Sequence, residues 1–266
     1  MIIKLKRYLF IAILFLFVSQ NAVSQTEIKP VKAVDSTMKL SIFLAPNYTY
    51  NFALADLKKD FGNNMSLGVD LCLKLPKNWT LDFGFKYFFE GSVDSSLSNA
   101  TFKNRITSNG FFINGNGEET NEISLDFRGI NFNLTAGKVF PVSKRFLNSG
   151  IWLRLGLGVT QHYLHIKNPE NLVKALEGNY LKGYDHLTAG FTLNQFVGYL
   201  HLMQRSVLCF YAGVEFSEIF GRRQREYDFA LMGKDTSKPF EVMIGIKVGW
   251  IIPLYRKTSA ISYEFR

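Results

Sequence analysis

Cysteine is scarce in this sequence, with only Cys72 and Cys209 among 266 residues. Each lies inside an alternating apolar segment, far from a second Cys and from a His at metal-ligand spacing, so the pattern predicts no metal site. The sequence does not place the two thiols within reach of one another. It leaves open either a disulfide or, as the simpler interpretation, two separate thiols in a packed interior.

Long apolar runs are also lacking after the first residues of the chain. Residues 1–24 combine a short basic region, an apolar run from Tyr8 to Val18 and the small-residue pattern Ala22-Val23-Ser24, which predicts a secretory signal peptide. A membrane anchor is the alternative, but the run is shorter than the ~20 residues of a spanning helix. No Cys follows the cleavage site, which argues against a lipoprotein. Residues 25–37 are predicted to form a flexible periplasmic lead.

The chain has no continuous basic stripe, although its formal charge is +9. A mild basic excess is compatible with an anionic lipid surface. Nucleic acid is not an expected partner, because such binding needs a clustered basic surface and the chain is predicted to be exported.

Strict alternation of apolar and polar residues is abundant. In "WTLDFGFKYFFEG", Trp79–Gly91, large apolar groups occupy every second position from Trp79 to Phe89, and the gaps hold mostly polar residues, charged residues and glycine. This is the pattern of a β-strand with two different faces. Eight segments of this kind follow one another, at residues 39–50, 66–76, 79–91, 123–142, 151–166, 187–200, 207–220 and 240–255.

The fourth segment changes the parity of its apolar residues near Arg128 and Gly129. Ile123, Leu125 and Phe127 occupy odd positions, whereas Ile130, Phe132 and Leu134 occupy even ones. One extra residue in a strand produces such a change, so the sequence predicts a β-bulge there.

The connections between segments alternate in length. Three are short, at 76–78, 142–150 and 203–206, and four are long, at 51–64, 92–122, 167–186 and 221–239. Outer-membrane barrels have short periplasmic turns and long surface loops. A soluble β-sandwich is the alternative, but many gap positions are glycine, which suits a narrow lumen, and aromatic residues cluster near strand ends.

We therefore predict an all-β fold, an eight-stranded antiparallel transmembrane up-and-down β-barrel over residues 38–255, with a short periplasmic tail at 256–266. Its location would be the bacterial outer membrane, with both termini in the periplasm and with membrane lipid and lipopolysaccharide around the wall.

Charged residues at gap positions are predicted to face the lumen. They are Asp70, Lys74, Asp82, Lys86, Arg154, Glu215, Glu241 and Lys247, with Glu90 expected beside them. Four acids and four bases in a low-dielectric space should pair. We expect a lumen plugged by this network together with Trp152, Tyr211 and Met243; a narrow channel through the charges is the alternative.

No catalytic, cofactor or metal site is predicted. Tyr184-Asp185-His186 is the only local grouping that suggests a hydrolase triad, yet no serine stands beside it, and we interpret these as solvated loop residues. A lipid A-modifying enzyme is therefore the less favoured alternative.

Two loop segments are candidate contacts for a partner. In "NPENLVKALEG", a short helix capped by Asn168 would present Leu172, Val173 and Leu176 to the barrel rim or to another protein. In "GRRQREYD", Arg222, Arg223 and Arg225 could bind lipid phosphates or an acidic partner.

The segments "RGINFNLTAGKVFP", "IWLRLGLGV", "LEGNYLKGYDHLTAGFTLNQFVGY" and "IGIKVGWIIPLYRK" resemble small outer-membrane β-barrels of Bacteroidota, of the PorT-like or general outer-membrane β-barrel type. The resemblance covers about Met38 to Lys257 and rests on structural motifs, so no functional residue is carried over. It implies an accessory or scaffold subunit of a larger machine, such as the barrel-assembly machinery or a type IX secretion and gliding apparatus, and therefore protein partners in an outer-membrane complex.

Overall fold

The computed structural model describes residues 41–91, 93–102, 106–107, 112–113, 117–120, 122–143, 146–169, 173, 176–202 and 209–256. The predicted signal peptide and lead, the start of the predicted barrel at 38–40 and residues 257–266 of the predicted tail lie outside the described residues.

Eight long strands make up most of the described chain. They are β1 (Ser41–Ala55), β2 (Asn64–Lys74), β3 (Trp79–Gly91), β6 (Ser124–Pro141), β7 (Gly150–Lys167), β8 (Thr188–His201), β9 (Phe210–Arg223) and β10 (Phe240–Trp250). Three short strands accompany them: β4 (Phe112–Ile113), β5 (Glu119–Thr120) and β11 (Ile252–Arg256). Two short helices, α1 (Leu57–Asp60) and α2 (Ser95–Thr101), lie in the long connections.

The long strands form a closed antiparallel ring. Each pairs with its neighbour in the order β1-β2-β3-β6-β7-β8-β9-β10, and β10 pairs back onto β1 from Ala55↔Glu241 to Asn47↔Gly249. Past Ile251, β11 continues this last strand and pairs with the first residues of β1, so strand structure extends to Arg256, the first residue of the predicted tail. The predicted eight-stranded up-and-down barrel is confirmed.

Side chains alternate between the two faces of the wall along most of each strand. In β3, Trp79, Leu81, Phe83 and Tyr87 are exposed, whereas Thr80, Asp82, Gly84 and Lys86 are buried in the lumen. Outward residues elsewhere are equally apolar, for example Leu157, which is 68% exposed, and Phe191, which is 75% exposed. The exterior is thus more apolar than the interior, the reverse of a water-soluble barrel. No helix among the described residues is long and apolar enough to cross a membrane.

The predicted bulge at Arg128–Gly129 is wrong. Strand β6 keeps one register with β7 over its whole length, from Ser124↔Lys167 to Pro141↔Gly150. Phe127 faces the lumen with the same parity as Asn131, and it is apolar because the lumen itself changes from polar to apolar towards that end. The parity change in apolar residues therefore marks the point where the lumen lining changes from polar to apolar, with no change in which residues point inward.

The irregularity lies in the neighbouring strand instead. Phe88 pairs with Gly129 and Gly91 with Phe127, so Phe89 and Glu90 together oppose Arg128. Glu90 has a φ of 51° and is exposed. Its predicted place in the lumen is wrong, because the bulge turns its side chain outward and returns Gly91 to the inner face.

Candidate functional site: a sealed lumen and an ordered loop cap

The lumen is closed by apolar side chains at the end where the short connections lie. This floor consists of Phe43, Ala45, Cys72, Val139, Trp152, Phe196, Leu200, Leu202, Cys209, Tyr211 and Ile251. A cavity of about 10 Å³ lies among them, which is at the lower limit for holding one water molecule. Cys72 and Cys209 are both buried here and are not joined by a disulfide.

Asp70 is the hub of a charged layer above the floor. One of its oxygens, Oδ2, accepts hydrogen bonds from Arg154 Nη1 at 3.1 Å, Lys247 Nζ at 3.0 Å and the Tyr211 hydroxyl at 3.1 Å. Gly84 makes this arrangement possible, because a Cβ there would lie 2.6 Å from the other Asp70 oxygen.

Glu215 extends the same network across the lumen. Its Oε2 accepts a hydrogen bond from Lys86 Nζ at 2.5 Å, and its Oε1 lies 3.6 Å from Lys247 Nζ. Lys247 thus bridges both acids, and three bases share two carboxylates. The Arg154 guanidinium also lies over the rings of Trp152 and Phe196, 4.2 and 4.3 Å from their centroids, which adds cation–π attraction in a desolvated space.

The other predicted lumen charges, Lys74, Asp82 and Glu241, are also buried. Lys74 Nζ donates to Asn148 Oδ1 at 2.7 Å, near the floor. Asp82 accepts hydrogen bonds from the hydroxyls of Thr80 and Thr135. Glu241 lies 2.7 Å from His162 Nε2, a partner that the sequence did not indicate. The predicted pairing holds for Asp70 and Glu215. It is wrong for Asp82 and Glu241, which contact threonines and a histidine instead of a lysine or arginine.

A second apolar cluster closes the opposite end. Strand residues such as Phe88, Phe127, Leu164 and Ile219 pack there against residues from the long connections, which form a cap over the barrel. The cap residues of this cluster are Leu57, Phe61, Leu97, Phe102, Phe112, Ile123, Val173, Leu176 and Tyr184. Two apolar layers thus enclose the charged layer between them.

The prediction that Val173 and Leu176 contact a partner is wrong. Each is 2% exposed in the cap cluster, so the barrel's own loops already cover them. The Asn168 side chain holds this segment by accepting from the Val173 N–H at 3.1 Å and donating to the Val173 carbonyl. Leu172 and most of the predicted helix lie outside the described residues.

The three predicted loop arginines have different surroundings. Arg222 is exposed on the outer face of β9. Arg223 points inward, where its guanidinium contacts Asp60 at 2.7 Å, Asp235 and the His186 carbonyl. The prediction that it contacts a partner is therefore wrong. Arg225 forms a two-point ion pair with the buried Asp185, which leaves its guanidinium partly exposed.

His186 lies at the centre of a polar chain inside the cap. Its Nδ1 is 3.1 Å from Asp228 Oδ2, and its Nε2 is 2.8 Å from the Thr101 hydroxyl. The interpretation of Asp185 and His186 as solvated loop residues is wrong, because three separate connections fold together and bury their side chains. The acid–His–hydroxyl order resembles a hydrolase triad, but Thr101 is 4% exposed, so a substrate cannot reach its hydroxyl without movement of the cap.

The acid stability of the cap should depend on Asp228. Burial raises the pKa of this carboxyl, but the hydrogen bond and charge of His186 and the N–H groups of Ala230 and Leu231 outweigh burial and hold its pKa below the ordinary 3.8. A depressed folded pKa stabilises the cap fully above the unfolded value, and this stabilisation is lost as the pH falls through the folded one.

Pepsin digestion of the folded barrel should show cap cleavage that accelerates as the pH falls below the ordinary aspartate pKa of 3.8. Asp228→Asn should already show accelerated cleavage above that pH. Equal digestion of the two proteins at every pH would contradict the assigned role of Asp228.

An open cleft of about 430 Å³ lies on the cap surface. It runs between the 3₁₀ turn Gly178–Gly183 and residues 224–229, and Arg225 is part of its lining.

Comparisons with known proteins return structural likeness only. No protein-family model matches the chain, and no curated protein matches it either. The chain is similar to the attachment invasion locus protein Ail of Yersinia pestis, with 8% identity and a TM-score of 0.40, over 81% of this chain and 100% of that one. It is also similar to a major outer membrane protein of Thermus thermophilus, with 8% identity and a TM-score of 0.42, over 79% and 99%. A third likeness is to the N-terminal barrel domain of OprF from Pseudomonas aeruginosa, with 10% identity and a TM-score of 0.34, over 80% and 100%.

Proposed function

We propose that this protein is an integral outer-membrane barrel that acts as a non-enzymatic accessory subunit of a larger outer-membrane assembly. The observation that carries the proposal is the combination of an apolar wall with a filled lumen. Function would then be confined to the two surfaces that another molecule can touch, the wall and the cap.

The apolar wall supports the membrane location. Contact of outward apolar side chains such as Phe83, Leu157 and Phe191 with water would be unfavourable by about 25 cal/mol per Å² of apolar surface. Hydrocarbon removes this cost, and a closed barrel satisfies its backbone hydrogen bonds internally, as a lipid environment requires.

The positions of the chain ends support the orientation. Ser41 pairs with Arg256, so the two described ends of the barrel lie together. They share the end of the short connections, which is the periplasmic end in outer-membrane barrels. Both termini would therefore be periplasmic, and the cap would face the cell exterior.

The filled lumen speaks against a stand-alone channel. An ion would have to cross two apolar layers and a layer in which Asp70 and Glu215 already have cationic partners. The buried Thr101 hydroxyl speaks in the same way against a lipid A-modifying enzyme.

A polar spot on the wall favours lateral contact with another protein. Glu218 faces outward on β9 between Phe216 and Phe220, and Gln195 of β8 lies opposite Phe216, diagonally next to Glu218. At ~2.5 Å per residue for a tilted strand, Glu218 lies about 20 Å above Phe210, within the ~25 Å apolar band of such barrels. Ionisable groups at this depth usually have a partner, which here would be a hydrogen-bond donor or a cation on a neighbouring barrel. The barrel-assembly machinery and the type IX secretion and gliding apparatus are the proposed assemblies.

Photo-crosslinking from the native membrane tests this proposal. A benzoylphenylalanine at Phe216, beside Glu218, should crosslink to a specific outer-membrane protein that also co-purifies with a chromosomally tagged copy. The same probe at Phe83 should not, because β3 lies across the ring from β9. Glu218→Leu should weaken the crosslink, and Val214→Leu on the same face should leave it unchanged. Recovery of the barrel alone, or equal crosslinking from both faces, would overturn the accessory role.

A further inference from the structure

The cleft on the cap combines exposed aromatic rings with planar polar side chains. Tyr180 and Tyr227 are 66% and 45% exposed. Both rings contact Phe229, with centroid separations of 6.4 and 5.3 Å. The cleft therefore presents two aromatic surfaces that are fixed to one shared ring.

Phe229 is itself held from below. Its ring packs on Tyr184, a cap-core residue, at 4.9 Å, and its N–H donates to the Gly183 carbonyl at 3.0 Å. A Cβ on Gly183 would lie 2.2 Å from the Phe229 ring, so glycine is needed for this close approach. The aromatic surface is thus positioned before any ligand arrives, which lowers the entropic cost of binding.

The polar lining is rich in amide, guanidinium and carboxylate groups. It comprises Asn179, Lys182, Gln224, Arg225 and Glu226. Arg225 is fixed by its two-point contact with Asp185, and Lys182 donates to Asn179 Oδ1 at 3.0 Å. The charges of the cleft balance: Arg225 forms an ion pair with Asp185, and the lining contains one further base, Lys182, and one acid, Glu226. A strongly anionic ligand would therefore find no net positive charge in this cleft.

We propose that this cleft binds a neutral oligosaccharide. A pyranose ring has an apolar C–H face that packs on an aromatic ring and a periphery of hydroxyls that accept and donate hydrogen bonds. Tyr180 and Tyr227 supply the faces, and Asn179, Gln224, Arg225 and Glu226 supply bonding partners of both kinds. The inference does not depend on the accessory role, because it concerns only the cap.

Saturation-transfer NMR of the purified barrel tests this binding, in a detergent that carries no sugar headgroup. The probes are maltoheptaose, chitohexaose and the neutral outer-core oligosaccharide of lipopolysaccharide from the same membrane, freed of its acidic inner-core sugars and phosphates. Tyr180→Ala and Tyr227→Ala should each weaken the affinity about threefold to tenfold, as expected for one lost aromatic contact. Tyr180→Phe should retain it. Leu231→Ala is the matched control, because Leu231 is exposed in the same loop and is not part of the cleft lining.

The probes also distinguish two sources of the sugar. Binding of the neutral outer-core oligosaccharide alone would identify the lipopolysaccharide of the same membrane as the source. Binding of maltoheptaose or chitohexaose would identify a soluble saccharide. Both outcomes support the proposal if the tyrosine variants weaken the binding. Absence of saturable binding by all three probes at millimolar concentration would overturn it. So would binding that the tyrosine variants leave unchanged.

Discussion

Asp70→Ala is expected to destabilise the folded barrel by about 3–5 kcal/mol, the cost of removing one partner from a buried ion pair. The carboxylate is the shared acceptor for Arg154, Lys247 and Tyr211. Its loss would remove the direct ion-pair partner of Arg154 and leave Lys247 with only the longer 3.6 Å contact to Glu215. Urea unfolding in lipid vesicles, followed by tryptophan fluorescence and by mobility on unheated gels, measures the effect.

Leu71→Ala provides the control for that measurement. Leu71 is the next residue of the same strand, but it faces outward and is 41% exposed. Truncation there creates no buried unpaired charge and removes only part of one side chain's contact with lipid, so the free energy of unfolding should fall by about 1–2 kcal/mol, less than for Asp70→Ala. Equal destabilisation by the two substitutions would show that the charged layer has no special role in stability.

Leu157→Arg is expected to destabilise the barrel by about 2–4 kcal/mol, the cost of an arginine on the lipid face near the bilayer midplane. Leu157 lies near the middle of β7, opposite Leu134 and Leu193, and is 68% exposed. In a water-soluble barrel the same substitution would be nearly neutral or favourable, because an exposed leucine would become a solvated arginine. Unfolding in vesicles and the yield of folded protein measure the effect.

Leu231→Arg separates a membrane effect from a general one. Leu231 is similarly exposed but lies on the cap, beyond the strands. The cap variant should be as stable as the parent protein. Tolerance of arginine at both positions would contradict the membrane location of the wall.

The strands could be predicted from sequence because side-chain direction in a strand is a local property. Alternation from Trp79 to Tyr87 requires only that successive residues point to opposite faces. Tight turns gave a second local signal, as at Pro76–Asn78, where Lys77 and Asn78 adopt positive φ. The same local logic failed at Arg128, because the apolar residue Phe127 faces an apolar part of the lumen and not the lipid.

The candidate sites depended on contacts that no local pattern encodes. The role of His186 could not be predicted from its neighbours Asp185 and Leu187, because its partners Thr101 and Asp228 come from two other connections. Val173 belonged to a segment with a visible apolar face, yet whether the barrel or a partner covers that face depends on how the cap folds.

The sequence by itself determined the eight long strands, most of their faces and the inward position of eight lumen charges, though not the position of Glu90, because a period of two follows from backbone geometry. Only the tertiary structure decided which charges meet. Asp70 and Lys247 are 177 residues apart, and Lys86 and Glu215 are 129 apart. Closure of the ring and its register bring these side chains together, and packing against neighbouring threonines, asparagines and aromatic rings decides which of them pair.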